Sequence, residues 1–168
     1  LWLNLPAKNK LCEPWYRDIQ SADIPETTTS EGVLVRIISG EGHGMTGAIH
    51  RPLQAYPTDP LYLDIHFSGE QTFSQAIPVT HNAFIYVYRG TLEVQGTENS
   101  ALVPLQRMAV LNNNGDGALL HGHAGTRALL IAGQPLNEPI AQYGPFVMNT
   151  REELMQAVED FQAGRLGQ

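Results

Sequence analysis

Apolar and polar residues alternate in short segments along most of the chain between residues 33 and 132. In LYLDIHF (61–67), the odd-numbered residues are apolar, while Tyr62, Asp64 and His66 fall on the opposite face, as expected of a strand with one buried side. Comparable segments lie at 33–39, 84–88, 91–95, 107–111, 118–121 and 127–132. Short strands separated by Gly- and Asn-containing turns predict an all-β sandwich or barrel.

The segment SQAIPVTHNAFIYVYRGTLEV (74–94) is of special interest because it resembles the frame of a metal-binding hairpin. It predicts a turn, a strand, a tight turn at Arg89-Gly90 and a second strand, paired as a hairpin. A metal hairpin of a small β-barrel enzyme carries two histidines and a glutamate in this region, whereas only His81 is present.

The pattern changes to a helical period near the carboxyl end. In NTREELMQAVEDFQAG, Thr150 and Glu153 have the spacing of a capping box. Leu154, Val158 and Phe161 recur at the spacing of one helical face, and Gly164 is a suitable stop. These residues predict an amphipathic helix over 149–164 that lies on the surface of the β domain.

The first residues also alternate, since leucines occupy positions 1, 3 and 5 before Pro6. This pattern predicts a strand over 1–5, and because no methionine precedes it we expect this strand to belong to a preceding domain. The stretch 6–30 contains two further prolines and a Thr/Ser run, which favours a linker. The expected organisation is therefore a strand at 1–5, a linker at 6–30, a barrel at 31–148 and a surface helix at 149–164.

Composition limits the partners and the compartment. The chain of 168 residues has 10 Lys and Arg against 17 Asp and Glu, for a net charge of −7, and no basic cluster that would neutralise phosphates. The lone Cys12 excludes an intrachain disulfide and fits a reducing compartment. No segment has the roughly 20 apolar residues of a membrane span. We expect a cytoplasmic protein, with the nucleus as an alternative compartment in a eukaryote, without direct contact to nucleic acid or membrane.

The histidines are the remaining candidates for chemistry. His121 and His123 form an H-x-H pair, and ligands two apart on a strand face the same way. The glutamate of a metal hairpin follows the second histidine by four residues, where this chain has Arg127. The sequence therefore favours a histidine pair that holds no metal.

The other histidines give weaker indications. His66 lies two residues from Asp64, which is compatible with a carboxylate-oriented ligand, but the solvent face of a strand is the preferred interpretation. His43 is expected to be exposed in a turn, and His50 is a candidate for lining a pocket. A minor alternative is a metal site of this chain's own around His50, His66 and His81.

The segment LIAGQPLNEPIAQYGPFVMNTREEL (130–154), and above all its core GPFVMNT, closely resembles the signature at the end of pirins, a family of two-domain cupins. LYLDIHFSGE and FIYVYRGTLEVQG are similar to the second pirin domain, and LWLNLPAKNK resembles the last strand and crossover of the first domain. The resemblance implies an all-β, cupin-type double-stranded β-helix (a jelly-roll barrel) with a C-terminal amphipathic α-helix.

The resemblance also bears on the metal. Pirins hold one iron in their first cupin domain through three histidines and a glutamate, from motifs such as H-P-H-R-G-F-E and H-x-E that this chain lacks. When that hairpin is aligned through Gly90, its ligand positions fall on Ala76, Pro78 and Asn82, and His81 is expected to face the other side. We therefore expect no catalytic, cofactor-binding or metal-binding residue in this chain, with iron in a preceding N-terminal cupin domain.

The implied function follows from the expected placement of the iron in the first domain and not in this chain. The chain is expected to be the metal-free C-terminal cupin domain of a pirin-like protein, with the N-terminal cupin domain of the same protein as its partner. The intact form would resemble an oxidoreductase, an iron-dependent quercetin 2,3-dioxygenase. The alternative is a regulatory module that binds a transcription factor or a metabolic enzyme and performs no catalysis.

Overall fold

A computed structural model describes residues 1–49, 58–97 and 99–166. The chain forms two compact units. The first, which we call the β unit, spans Ile19–Pro135. The second, the terminal unit, combines Leu1–Asp18 with Leu136–Gln168.

The β unit consists of antiparallel sheets. Its strands in chain order are β1 (Glu26–Thr28), β2 (Leu34–Ser39), β3 (Glu41–Gly42), β4 (Met45–Thr46), β5 (Leu61–His66), β6 (Gln71–Ala76), β7 (Asn82–Arg89), β8 (Leu92–Gln95), β9 (Ser100–Val103), β10 (Arg107–Val110), β11 (Gly117–Gly122) and β12 (Arg127–Gly133). The large sheet has six strands in the order β1-β2-β5-β12-β7-β10. The small sheet has four in the order β6-β11-β8-β9, and β3 pairs with β4.

Alternating side chains of the two main sheets form one hydrophobic interior. The large sheet contributes residues from β2, β5, β7 and β12, and the small sheet contributes residues from β6, β8, β9 and β11. The largest fully buried side chains are Phe73, Ile37, Leu63, Ile65, Ile85, Leu92, Leu120, Leu130, Val33, Val35 and Val87. Among the described residues the two sheets are not closed into a continuous barrel, so the architecture is a jelly roll with open edges.

The strands predicted at 33–39, 61–67, 84–88, 91–95, 107–111, 118–121 and 127–132 are confirmed, with ends shifted by a residue or two. The predicted hairpin between 84–88 and 91–95 is wrong. β7 pairs with β10 and β12 in the large sheet, whereas β8 pairs with β9 and β11 in the small sheet. The turn at Arg89-Gly90 therefore carries the chain from one sheet to the other.

The first thirty residues differ from the expected linker in one respect. Residues 26–28, placed in that linker, form β1 and pair with β2 in the register Glu26 to Arg36. A polar strand at the sheet edge carries no alternation signal, which explains why the sequence did not reveal it. Residues 1–6, all described, are not paired in any sheet; a strand there that pairs with a preceding domain stays a prediction.

The terminal unit contains β13 (Ala141–Tyr143), β14 (Phe146–Met148) and α1 (Arg151–Gln162). The predicted capping box is confirmed: Glu153 N donates to Thr150 Oγ1 at 3.2 Å, and Thr150 N donates to Glu153 Oε2 at 3.0 Å. Gly164, with φ of 68°, follows the helix end as expected. The buried face centres on Leu154 and Ala157.

The apolar helix face extends less far than its periodicity predicted. Phe161 is largely exposed, and its ring makes an edge-to-face contact with Phe146, with centroids 5.7 Å apart. Elsewhere in this unit, Glu138 Oε2 accepts hydrogen bonds from Ala7 N at 2.8 Å and Asn149 Nδ2 at 2.9 Å. These bonds, the one from Ala7 N first, lower the pKa of Glu138. The carboxylate thus links the two stretches of sequence that form the unit.

Gly90 provides a test of the crossing between the sheets. It has φ of 73°, and a Cβ there would lie 2.8 Å from Thr126 Oγ1 and 3.0 Å from Thr126 Cα. Thr126 is buried and donates to Thr91 O, so it cannot move aside. Gly44 has a similar φ of 77° with nothing within 4 Å of a Cβ, which makes it a matched control.

We expect Gly90→Ala to destabilise the protein about 1–3 kcal/mol more than Gly44→Ala, because both changes strain the backbone but only the first creates a clash. Chemical denaturation of the two variants measures this difference. Equal losses of stability would show that the approach of Thr126 does not constrain the turn.

Candidate functional site

The positions expected to match metal ligands do not face the interior. Ala76, Pro78 and Asn82 are all exposed. His81, expected on the face opposite these positions, is buried, with 8% of its surface accessible, while they are exposed. The alternation of β7 explains which face is inside, since Ala83 and the following odd-numbered residues of β7 point inward, and His81 has the same parity.

His81 lies in a turn that is closed by a hydrogen bond from its backbone N to Pro78 O at 2.9 Å. Its Nε2 lies 3.8 Å from Asp59 Oδ2. The other buried polar residues among the described ones are Ser39 and Thr126. A buried imidazole with one carboxylate and two hydroxyl residues does not supply the three or four converging ligands of an iron site.

A partly buried polar network occupies the outer face of the large sheet. The Tyr88 hydroxyl donates to Asp64 Oδ1 at 2.7 Å, and His66 Nε2 lies 3.1 Å from that hydroxyl and 3.0 Å from Asp64 Oδ2. Because the Tyr88 proton is directed at Asp64, the geometry assigns a hydrogen to His66 Nε2, which donates to the other two groups. The side chains of His66 and Asp64 are 17% and 13% exposed, so they do not form the solvated strand face that the sequence favoured.

The network changes the acidity of its phenol. Burial, followed by the hydrogen bond to the Asp64 carboxylate, raises the pKa of Tyr88. Burial and the charge of Asp64 also raise the pKa of Tyr62. Both effects favour the neutral phenol, so Tyr88 is held as a hydrogen-bond donor and not as a base at neutral pH.

His66 also borders a groove of about 710 Å³ in the β unit. The groove is lined by Ser21, Ala22, Ile24, Pro25, Glu26, Leu34, Arg36 and His66. The Arg36 guanidinium is held by Nη2, which donates to Ser21 O and Ser21 Oγ, each at 2.8 Å, and its Nε lies 3.6 Å from Glu26 Oε2. The groove is therefore lined by the imidazole of His66 and by a guanidinium whose charge is already paired with a carboxylate.

The alternative site around His50, His66 and His81 is not assembled by the described residues. His50 lies outside them. His66 and His81 lie beside different carboxylates, those of Asp64 and Asp59 respectively. His43, expected in an exposed turn, is exposed, and its ring lies 5.1 Å from that of Phe73.

The histidine pair 121/123 has a third neighbour that the sequence did not indicate. Glu70, His121 and His123 each place a potential ligand atom within 4.8 Å of the others, the single such group among the described residues. His121 Nε2 lies 3.6 Å from Glu70 Oε1. The glutamate of a metal hairpin would follow the pair by four residues, whereas the glutamate beside these histidines comes from the turn before β6, a distant part of the chain.

In the described part of the chain, no helix has the length and apolarity needed to cross a membrane.

The two-sheet jelly roll with an apolar interior, followed by a capped helix, defines a cupin-type domain, as the sequence predicted. The sequence model of the Pirin C-terminal cupin domain matches residues 62–167, well over half of the chain, and the chain therefore belongs to the pirin family.

Relatives and solved structures agree with this assignment. A Pseudomonas aeruginosa protein, provisionally named as a quercetin 2,3-dioxygenase, is 43% identical over 99% of this chain and 58% of its own length. Human pirin is 36% identical over 99% of this chain and 56% of its own. A crystal structure of quercetin 2,3-dioxygenase from Acinetobacter baumannii matches with a TM-score of 0.83 and 32% identity, covering 99% of this chain and 55% of that one. The chain thus spans little more than half the length of these proteins.

Tyr88→Phe tests the network on the large sheet. Loss of the hydroxyl should cost about 1–2 kcal/mol, because Asp64 and His66 each lose a partner in a partly buried setting. The raised pKa means that the contribution is complete below the ordinary phenol pKa of about 10 and declines as the pH rises toward the folded value.

Ultraviolet titration of tyrosinate should show a late-ionising component that shrinks in Tyr88→Phe. Tyr143→Phe, which removes an exposed hydroxyl, serves as the control and should leave that component intact. A late component of equal size in both variants would contradict the assignment to Tyr88.

Proposed function

We propose that this chain is the C-terminal cupin domain of a pirin-like protein whose intact form is an iron-dependent quercetin 2,3-dioxygenase. In this proposal the iron is held by an N-terminal cupin domain, and the present chain supports that domain by packing against it. The chain itself performs no catalysis. The expected compartment is the cytoplasm, or the nucleus in a eukaryote.

The observation that carries the proposal is the content of the interior between the two sheets. Iron of the kind expected in pirins requires three imidazoles and a carboxylate directed at one point. The described hydrophobic core between the sheets is aliphatic and aromatic, with Phe73, Leu120 and Leu130 among the fully buried side chains, and His81 is the single buried imidazole among the described residues. A charged ion in such surroundings would lack the polar groups that replace its hydration shell, so the interior does not fit this metal.

The names of the relatives indicate a dioxygenase reaction, for which the described interior of this domain has no suitable set of metal ligands. Two of the three similar proteins described above are named as quercetin 2,3-dioxygenases, one of them provisionally. Each extends well beyond the part matched by this chain. In this proposal the reaction centre lies in the remaining part of such a protein, and this chain packs against that part. The dioxygenase names of the relatives are then compatible with the apolar interior of this domain.

Exposed apolar side chains support a role in packing against another domain. In the β unit, Leu102, Leu105, Met108 and Val110 are each at least half exposed on or beside the edge strands β9 and β10. In the terminal unit, Leu1, Trp2 and Leu3 are likewise exposed. Exposed apolar groups of this kind favour contact with another protein surface.

The same apolar residues support a second candidate function. In this alternative the protein is a regulatory module whose exposed apolar residues bind a transcription factor or a metabolic enzyme, and its iron acts as a redox sensor and not as a catalyst. The groove beside His66 would then serve recognition. Catalytic turnover by the intact protein distinguishes the two candidates.

Oxygen consumption with quercetin provides that test. A longer protein that includes a preceding cupin domain should consume oxygen when it is loaded with iron, and the present chain alone should consume none above the rate of quercetin without protein. The matched control is the longer protein without iron, which should be inactive.

The outcomes separate the candidates. No uptake by the iron-loaded longer protein would reject the dioxygenase proposal and favour the regulatory module. Quercetin-dependent uptake by the present chain alone would reject both, because each places the iron elsewhere.

A further inference from the structure

We propose that Glu70, His121 and His123 form a site for a divalent transition-metal ion, of which Zn²⁺ is the representative, on the outer face of the small sheet. The three ligand atoms already lie within 4.8 Å of one another. The site is separate from the interior between the sheets. The inference that it binds a metal depends neither on the dioxygenase proposal nor on the regulatory alternative.

The strand geometry directs His121 away from the interior. Along β11, Ala118, Leu120 and Gly122 are buried, whereas the alternating positions, including His121, are more accessible. A Cβ on Gly122 would lie 2.7 Å from the Phe67 ring, so the residue between the two histidines must be glycine. This close contact with the hydrophobic core fixes the backbone that carries both imidazoles.

Backbone hydrogen bonds bring the loop after β11 beside the end of β5. Phe67 N donates to Thr126 O at 3.0 Å, and Gly125 N donates to Phe67 O at 2.9 Å. The turn that carries Glu70 continues directly from Phe67. The proximity of Glu70 to the two histidines therefore arises from the sheet itself and does not require a bound ion.

Glu70 sits on an ordered turn. The side chain of Gln71 accepts hydrogen bonds at Oε1 from Ser68 N at 2.9 Å and Gly69 N at 3.2 Å. Its Nε2 donates to Glu31 O at 3.0 Å. These bonds fix the backbone around Glu70, while the exposed carboxylate remains free to rotate toward an ion.

A hydroxyl orients the first imidazole. Thr72, directly opposite His121 across the β6–β11 ladder, places its Oγ1 3.4 Å from His121 Nδ1. If Nδ1 carries the proton, Nε2 presents its lone pair on the side where Glu70 lies. Metal-bound histidines commonly have such a partner on the second ring nitrogen.

The charge of the group and the type of its donor atoms determine which ion it would bind. Glu93 is the cross-strand partner of His121 on β8, so it lies on the same face and adds negative charge beside the site. Two imidazoles and one carboxylate suit Zn²⁺, Co²⁺ or Fe²⁺ better than Ca²⁺ or Mg²⁺, which prefer oxygen ligands. Ligand atoms around Zn²⁺ are roughly 3.3 Å apart at bond lengths of about 2.0–2.1 Å, so binding requires only side-chain rotation, with water as the fourth ligand.

Binding of a metal ion would link the turn of residues 68–71 to the end of β11. Since the group is accessible and outside the interior, the inferred role is structural or regulatory. A metal that binds the folded chain but not the unfolded chain raises the melting temperature, and the stabilisation grows with the logarithm of the free metal concentration above the dissociation constant.

The experiment uses the chain without an affinity tag, freed of metal by a chelator, and titrated with Zn²⁺ by calorimetry and with Co²⁺ by visible absorption. We expect one ion per chain and a higher melting temperature with Zn²⁺. We also expect a Co²⁺ absorption spectrum that depends on the side chains of His121 and His123. His121→Ala and His123→Ala should each weaken binding at least tenfold, and Glu70→Gln should weaken it while preserving the size of the side chain.

His43→Ala is the matched control, because it removes an exposed histidine outside the group. It should bind both ions as the parent chain does. The proposal is rejected if the parent chain binds no ion, or if His121→Ala and His123→Ala bind as tightly as His43→Ala. Thr72→Val should lower affinity about tenfold, with the folded state of every variant confirmed by circular dichroism.

Discussion

The rest of the structure depends on one constraint, the apolar interior shared by the two main sheets. Odd-numbered side chains of β2, β5 and β7 point into this interior and leave the even-numbered ones outside. A two-residue side-chain period means that a shift of one residue would expose the whole buried set. The interior therefore fixes the register of the strands, and with it the location of every polar group.

The polar clusters of the domain consequently lie on the outer faces, and His81 is the single buried imidazole among the described residues. On the large sheet, Asp64, His66 and Tyr88 satisfy one another beside a groove. On the outer face of the small sheet, Glu70, His121 and His123 place their ligand atoms within 4.8 Å of one another. A cupin fold thus retains its hydrophobic framework while its potential binding groups lie outside the space between the sheets.

Sequence reasoning succeeded where the determining interactions are local. Alternation revealed most strands of the main sheets, and the Thr150–Glu153 box identified the start of α1, because both depend on neighbouring residues. It failed where the partner is distant. The strands flanking Gly90 were predicted to pair with each other because nothing in the local sequence shows the approach of Thr126. Glu70 was missed for the same reason, since its proximity to His121 is created by the β6–β11 pairing. The burial of His81 could have been inferred by extending the two-residue alternation of β7 from Ala83 back to position 81.

The central claim is that the space between the sheets does not hold a metal ion and that the one described group of converging ligands lies outside it. Anomalous X-ray scattering from crystals of the chain grown with Zn²⁺ or Fe²⁺ tests this claim most directly. The account predicts anomalous density beside Glu70, His121 and His123 and none between the sheets. An ion located between the sheets, bound by side chains of this domain, would contradict it.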